Sequence, residues 1–79
     1  MTKMIKLSKV DDVKRIYEIA ITYDVDIDAQ NDNYSYVIDA KSLMGLICLD
    51  FSEPIKFTVH TNDTALAAEI LQRFEDALK

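Results

Sequence analysis

The spacing of apolar positions along the chain changes period from one segment to the next, and each change marks an element. Met4-Ile5-Lys6-Leu7 is a short apolar stretch that predicts an opening strand. Ser8, with Asp11 three residues on, has the form of a capping box, in which a hydroxyl and a carboxylate satisfy free amides of a first helical turn. Val13, Ile16, Tyr17 and Ala20 follow at helical spacing and predict a helix to about Thr22. The period then drops to two: Tyr23, Val25, Ile27 and Ala29 alternate with Asp24, Asp26 and Asp28, the pattern of a strand with one wet face. Asn31-Asp32-Asn33 predicts a turn made without glycine, by residues that tolerate left-handed backbone. Tyr34 to Ala40 predicts the next strand, with Tyr34, Tyr36, Ile38 and Ala40 on one face. Lys41 to Leu49 suits a short helix lying on its neighbours. Ile55, Phe57 and Val59 alternate with Lys56, Thr58 and His60 in a fourth strand. Asn62 or Asp63 can cap a last helix, in which Leu66, Ile70, Phe74 and Leu78 recur every four residues beside Ala67 and Leu71. The order is βαββαβα. Strands with alternating wet faces leave the helices one side of the sheet to cover, so the fold class is α/β (α+β), an open-faced sandwich.

Composition narrows the class. A chain of 79 residues allows one domain, residues 1–79, and no linker or internal repeat divides it. Hydrophobic residues at 49% exclude a disordered tail, and one glycine with one proline excludes collagen-like and low-complexity chains. A core this small predicts marginal stability or dependence on a partner. Nine Lys and Arg against 14 Asp and Glu give a net charge of −5, which argues against a general nucleic-acid binder but leaves room for a local anion site. Cys48 is the only cysteine, so neither an internal disulfide nor a cysteine-based zinc site can be assembled. Inside Leu46-Ile47-Cys48-Leu49 it reads as a small buried hydrophobe rather than a reactive thiol, since no basic residue adjoins it to lower its pKa. Met1-Thr2-Lys3-Met4 lacks the apolar core of a signal peptide, and no uncharged stretch approaches the roughly 18 residues of a membrane span. The expectation is a soluble, cytoplasmic protein without a membrane partner.

The chemistry-bearing residues are few. No triad, phosphate loop or metal-ligand cluster is present, so the expectation is a protein that is not an enzyme and carries no cofactor or metal. Asp24, Asp26 and Asp28 lack the glycine and distal glutamate of a calcium loop and read as a solvated strand face. His60 falls late in the fourth strand on the wet face with Lys56 and Thr58. No second histidine exists and no carboxylate adjoins it, so it reads as a solvated strand histidine.

Lys41-Ser42-Leu43-Met44-Gly45-Leu46-Ile47-Cys48-Leu49 carries more information. It resembles the regulatory-serine segment of HPr, the histidine-containing phosphocarrier family of the bacterial sugar phosphotransferase system. In that family a Lys-Ser pair opens a short second helix, followed by apolar residues and a glycine. The family is a single domain of this size with the same βαββαβα order, so the resemblance runs from about Ile5 to Leu78. It implies a four-stranded antiparallel sheet with three helices on one face.

The resemblance also implies two phosphorylation sites, of which one is missing. In the family a histidine caps the first helix, with an arginine two residues later and then a proline. Aligned back from Val25-Asp26-Ile27, Lys9 stands in the place of that histidine, Asp11 in that of the arginine and Asp12 in that of the proline. A charged ammonium has no free lone pair to accept a phosphoryl group, and two acids add negative charge where the family offers a cation. No histidine precedes residue 60. Ser42 corresponds to the serine that a dedicated kinase modifies in many Gram-positive bacteria. A plain helix-capping serine would have the same sequence, and both readings stand. Leu43, Met44 and Ile47 correspond to the family's exposed apolar patch, where protein partners dock.

These readings predict a non-catalytic regulatory or binding module, docking a protein through its second helix and switched at Ser42. The family contains a catabolite-repression paralogue that lacks the active histidine, keeps the serine and acts with a transcriptional regulator, so a serine kinase or such a regulator is the implied partner. Two alternatives remain open: a phosphocarrier with a displaced acceptor, and a structural or dimerising domain.

Overall fold

The structure, a computed structural model, describes residues 1–32 and 34–79. The elements follow the predicted order: β1 (Thr2–Ile5), α1 (Val10–Ala20), β2 (Asp26–Asn31), β3 (Ile38–Asp39), α2 (Leu43–Ile47), β4 (Ile55–His60) and α3 (Thr64–Ala77). The strands form one antiparallel sheet in the order β1-β4-β2-β3, with register pairs such as Lys3 with Phe57, Ile27 with Val59 and Ala29 with Ile38. Period-two alternation sends Ile27, Ala29, Ile55, Phe57 and Val59 to one face. There they meet Val13, Ile16 and Ala20 of α1, Leu46 of α2, and Ala67, Ile70, Leu71 and Phe74 of α3 in one buried cluster. Phe57 and Phe74 meet edge to face at 5.4 Å between ring centroids, a favoured aromatic arrangement. The other face carries Thr2, Met4, Asp26, Asp28, Gln30, Lys56, Thr58 and His60, and among the described residues the helices pack on the opposite side. The predicted open-faced sandwich is the observed fold.

Several local expectations need correction. The opening strand is Thr2–Ile5 rather than Met4 to Leu7; Leu7 has left the ladder but is fully buried. The capping box does not form. Helix α1 starts after Lys9, whose side chain makes no capping bond, and Asp12 rather than Asp11 reaches back, to Ser8. The helix ends at Ala20, and residues 21–25 are turn and bend, so β2 begins at Asp26 and not at Tyr23.

The far end of β2 extends beyond the expected turn. Asn31 is its last residue and is fully buried, because its side-chain amide pairs with the main chain of Asp50: Asp50 N donates to Oδ1 at 2.8 Å and Nδ2 donates to Asp50 O at 2.9 Å. Asp32 follows in a turn; Asn33, the third residue of the expected turn, lies outside the described residues. Among the described residues no non-glycine backbone enters the left-handed region, so Asn31 and Asp32 turn without it. The expected strand from Tyr34 to Ala40 shrinks to Ile38–Asp39. Its apolar face holds at Ile38 and Ala40, whereas Tyr36 is exposed and stacks on Tyr34 at 5.5 Å. Cys48 is exposed, not buried. Leu46 and Leu49 supply the inward contacts of that short segment, and Cys48 between them turns to solvent.

Candidate functional site

Two helix starts and the apolar surface beside the second carry the residues singled out in the sequence. Helix α1 lies against both α2 and α3, so its N-terminal turn is set on a packed element. Lys9 is the N-cap, exposed and extended, and Val10 opens the helix with nearly half its surface in water. Asp11 is exposed, while Asp12, one residue on, is only 5% exposed. Its carboxylate collects donors from three groups: Ser8 N donates to Oδ2 at 2.9 Å, Ser8 Oγ donates to Oδ2 at 3.0 Å, and the Arg15 guanidinium donates to Oδ1 at 3.0 Å. The Ser8 amide holds the Asp12 carboxyl below its ordinary value. Burial opposes that shift, and the Ser8 hydroxyl with the Lys9 amide and charge reinforces it. The first turn of α1 is thus closed by a buried carboxylate of its own. Sequence reasoning ranked Asp11 over Asp12 and missed Arg15. Part of the signal was available, since Asp12 and Arg15 lie at the three-residue spacing that shares a helix face.

Ser42 is the N-cap of α2. It is exposed, and its hydroxyl accepts from Gly45 N at 3.2 Å. Gly45 is where this helix comes close to the sheet: a Cβ there would lie 2.7 Å from Ile38 Cγ2 and 3.1 Å from Ser42 Oγ. Of the three apolar residues expected to face a partner, Met44 is 78% exposed and Ile47 40% exposed, whereas Leu43 is half-buried against the core. Tyr36 and Val37, just before the short strand that Gly45 packs on, are also about half exposed and were not singled out in the sequence.

His60 has a partner that its neighbours in sequence do not reveal. Its Nε2 lies 2.5 Å from Asp28 Oδ2, because Asp28 and His60 sit diagonally across the β2–β4 ladder on the open face. A carboxylate 32 residues away therefore orients it, contrary to the expectation of an unoriented histidine. The His60 side chain is half exposed and that of Asp28 36% exposed. Among the described residues no group of three or more His, Cys, Asp or Glu is placed to hold a metal ion, and no helix is long and apolar enough to cross a membrane.

No family model matches the chain, and no curated protein matches it in sequence. Solved structures do match. The phosphocarrier protein HPr from Bacillus anthracis str. Ames superposes with a TM-score of 0.73 at 20% identity, over 100% of this chain and 96% of that one. HPr-C-His from Thermoanaerobacter tengcongensis gives a TM-score of 0.67 at 20% identity, over 99% of this chain and 88% of that one. The sequence order, the sheet topology and these superpositions agree: the chain has the fold of the HPr phosphocarrier proteins.

Proposed function

We propose that this chain is an HPr-like regulatory or binding module that has lost the phosphocarrier step and works by docking a protein partner on α2. The observation that carries the reading is the start of α1. A phosphoryl carrier of this fold needs an acceptor nitrogen with a free lone pair at the helix N-cap; here the N-cap is Lys9, and the only histidine, His60, lies on the open face of the sheet. In this reading Lys9 stands in the place of the family's histidine. Asp11 and Asp12 repel an incoming phosphoryl group where the family has an arginine and a proline. Met44 and Ile47, the exposed apolar residues of α2, form the contact surface. Ser42 is the switch. Its hydroxyl is exposed at a helix start, and a phosphate there would add about −2 of charge beside the docking residues. The partner is a cytoplasmic protein, with a serine kinase acting on Ser42.

Two measurements test this. Incubation with the general phosphotransferase, phosphoenolpyruvate and Mg²⁺ should leave the protein without acid-labile phosphate; stoichiometric labelling would restore the displaced-acceptor reading. Treatment with a family serine kinase should modify Ser42 and shift affinity for partners drawn from the source-cell lysate by about tenfold or more. A folded sample that stays unmodified, or identical partners before and after, would reduce Ser42 to a helix cap.

A further inference from the structure

The sheet edge farthest from β3 has backbone groups that the fold does not use. In the order β1-β4-β2-β3, β1 is an outer strand, and among the described residues no strand pairs with its far side. Val59 N donates to Met1 O at 2.9 Å and Met1 N donates to Val59 O at 3.2 Å, so these two residues form a hydrogen-bonded pair. Bonded and non-bonded pairs alternate along an antiparallel ladder. The register therefore makes Lys3 with Phe57, and Ile5 with Ile55, the next bonded pairs. Thr2 and Met4 fall between them, and their amides and carbonyls point away from β4. Thr2 Oγ1 and Thr58 Oγ1 meet at 3.1 Å, as side chains of a non-bonded pair do.

Beside this edge runs a groove lined by Met4, Ile5, Lys6, Glu75, Leu78 and Lys79, with the end of α3 as its second wall. Its charge runs against that of the chain. Lys3, Lys6, Lys56 and Lys79 gather here, four of the nine Lys and Arg, in a protein of net charge −5. Glu75 pairs with Lys3 and Asp76 with Lys79. Lys6 meets only the main-chain oxygens of Leu7 and Phe51, and Lys56 faces Met4 across the ladder, so among the described residues neither has a carboxylate at ion-pair distance. We propose that the β1 edge docks an extended acidic segment of a partner protein, which adds a fifth, antiparallel strand to the sheet. Guest residues opposite Thr2 and Met4 each exchange two main-chain hydrogen bonds with them. A guest side chain opposite Ile5 lies on the helix side near Leu78 and is apolar, whereas those opposite Lys3 and Lys6 are acids. A second copy of the chain fits less well. The antiparallel self-pairing that uses both Thr2 and Met4 sets Lys3 directly against Lys3, a destabilising like-charge pair. Lysines on a short edge guard it against another such edge, and the same charge admits an acid.

The probe is a capped heptapeptide with valine set against Ile5 and glutamate set against Lys3 and Lys6; the peptide with lysine for glutamate is the control. Saturating acidic peptide should slow hydrogen exchange at the Thr2 and Met4 amides of the intact chain by at least about tenfold. At low salt it should bind at least about tenfold more tightly than the control. Met4→Pro removes an outward donor without touching the β4 ladder, so it should abolish the protection at Thr2 and leave the thermal melt unchanged. Should that variant not fold, the acidic peptide N-methylated at the residues facing Thr2 and Met4 makes the same test on the intact chain, and it should not bind. No protection, equal affinity for the two peptides, or binding that survives N-methylation would overturn the proposal. Protection that appears without peptide as the protein concentration rises would also overturn it, by assigning the edge to a second copy.

Discussion

Replacing Asn31 by Ala tests the account of how α2 is held, because the main-chain partner of this buried side chain lies in the loop that leaves α2. Asn31 lies at the end of β2 with no exposed surface, and its amide clasps both polar groups of Asp50 at 2.8 Å and 2.9 Å. Truncation leaves the Asp50 amide and carbonyl without their partner. An unpaired buried polar group costs about 1–3 kcal/mol. Asp50 is itself only half-buried, so water recovers part of the loss and the sum falls at about 2–3 kcal/mol. A chain of this length has a total stability of about 4–12 kcal/mol, so the loss is a large fraction of it. In urea, with a slope near 1 kcal/mol/M for a small domain, the midpoint should fall by about 2–3 M. Hydrogen exchange at the Asp50 amide should accelerate even in mild conditions, since its acceptor is gone. A loss below about 0.5 kcal/mol, the range of ordinary surface changes, would refute the reasoning. It would mean that the loop from residue 50 to residue 54 is held by other contacts, such as Lys6 Nζ donating to Phe51 O.

Three further outcomes are expected. Gly45→Ala brings a methyl within 2.7 Å of Ile38 Cγ2, so an overpacking cost of about 1–3 kcal/mol should outweigh the gain of up to about 1 kcal/mol in helix propensity; a variant more stable than the parent in thermal melts would show that α2 is free to shift. The Asp12 carboxyl is held below its ordinary value of 3.8, so its contribution to stability is complete above that pH and fades as the pH falls through the lower folded value. Asp12→Asn should therefore flatten the acid limb of a stability-against-pH curve, and an unchanged limb would assign it to Asp50 and Asp76, which serine and glutamine hydrogen bonds also hold low. His60→Ala removes a largely exposed hydrogen bond with Asp28, so it should cost less than about 1 kcal/mol; a larger loss in denaturant titrations would mean the pair is structural.

The order of elements, the inward residues of β2 and β4, and the cap of α3 were legible in the sequence because each depends on residues close together in the chain. Ile55, Phe57 and Val59 must share a face at period two, and Asp63 accepts from Leu66 N three residues on. Ser42 was legible as a cap for the same reason. What the sequence did not reveal depends on distant partners. Asn31 carries the signature of a turn residue, and only Asp50, 19 positions away, makes it a buried strand end. Tyr34 to Ala40 has the alternation of a full strand, yet β2 pairs with it at only Asp28 with Asp39 and Ala29 with Ile38, so Tyr36 is left exposed. Cys48 has apolar neighbours on both sides, but packing of α2 takes Leu46 and Leu49 inward and leaves the thiol in water. His60 acquires Asp28 only through the β2–β4 register. At the start of α1 the sequence supplied every participant, and burial chose between two adjacent acids: Asp12 turns back under Ser8 beside Arg15, and Asp11 faces solvent. Local periodicity determined the elements, and long-range packing decided which polar side chains find partners.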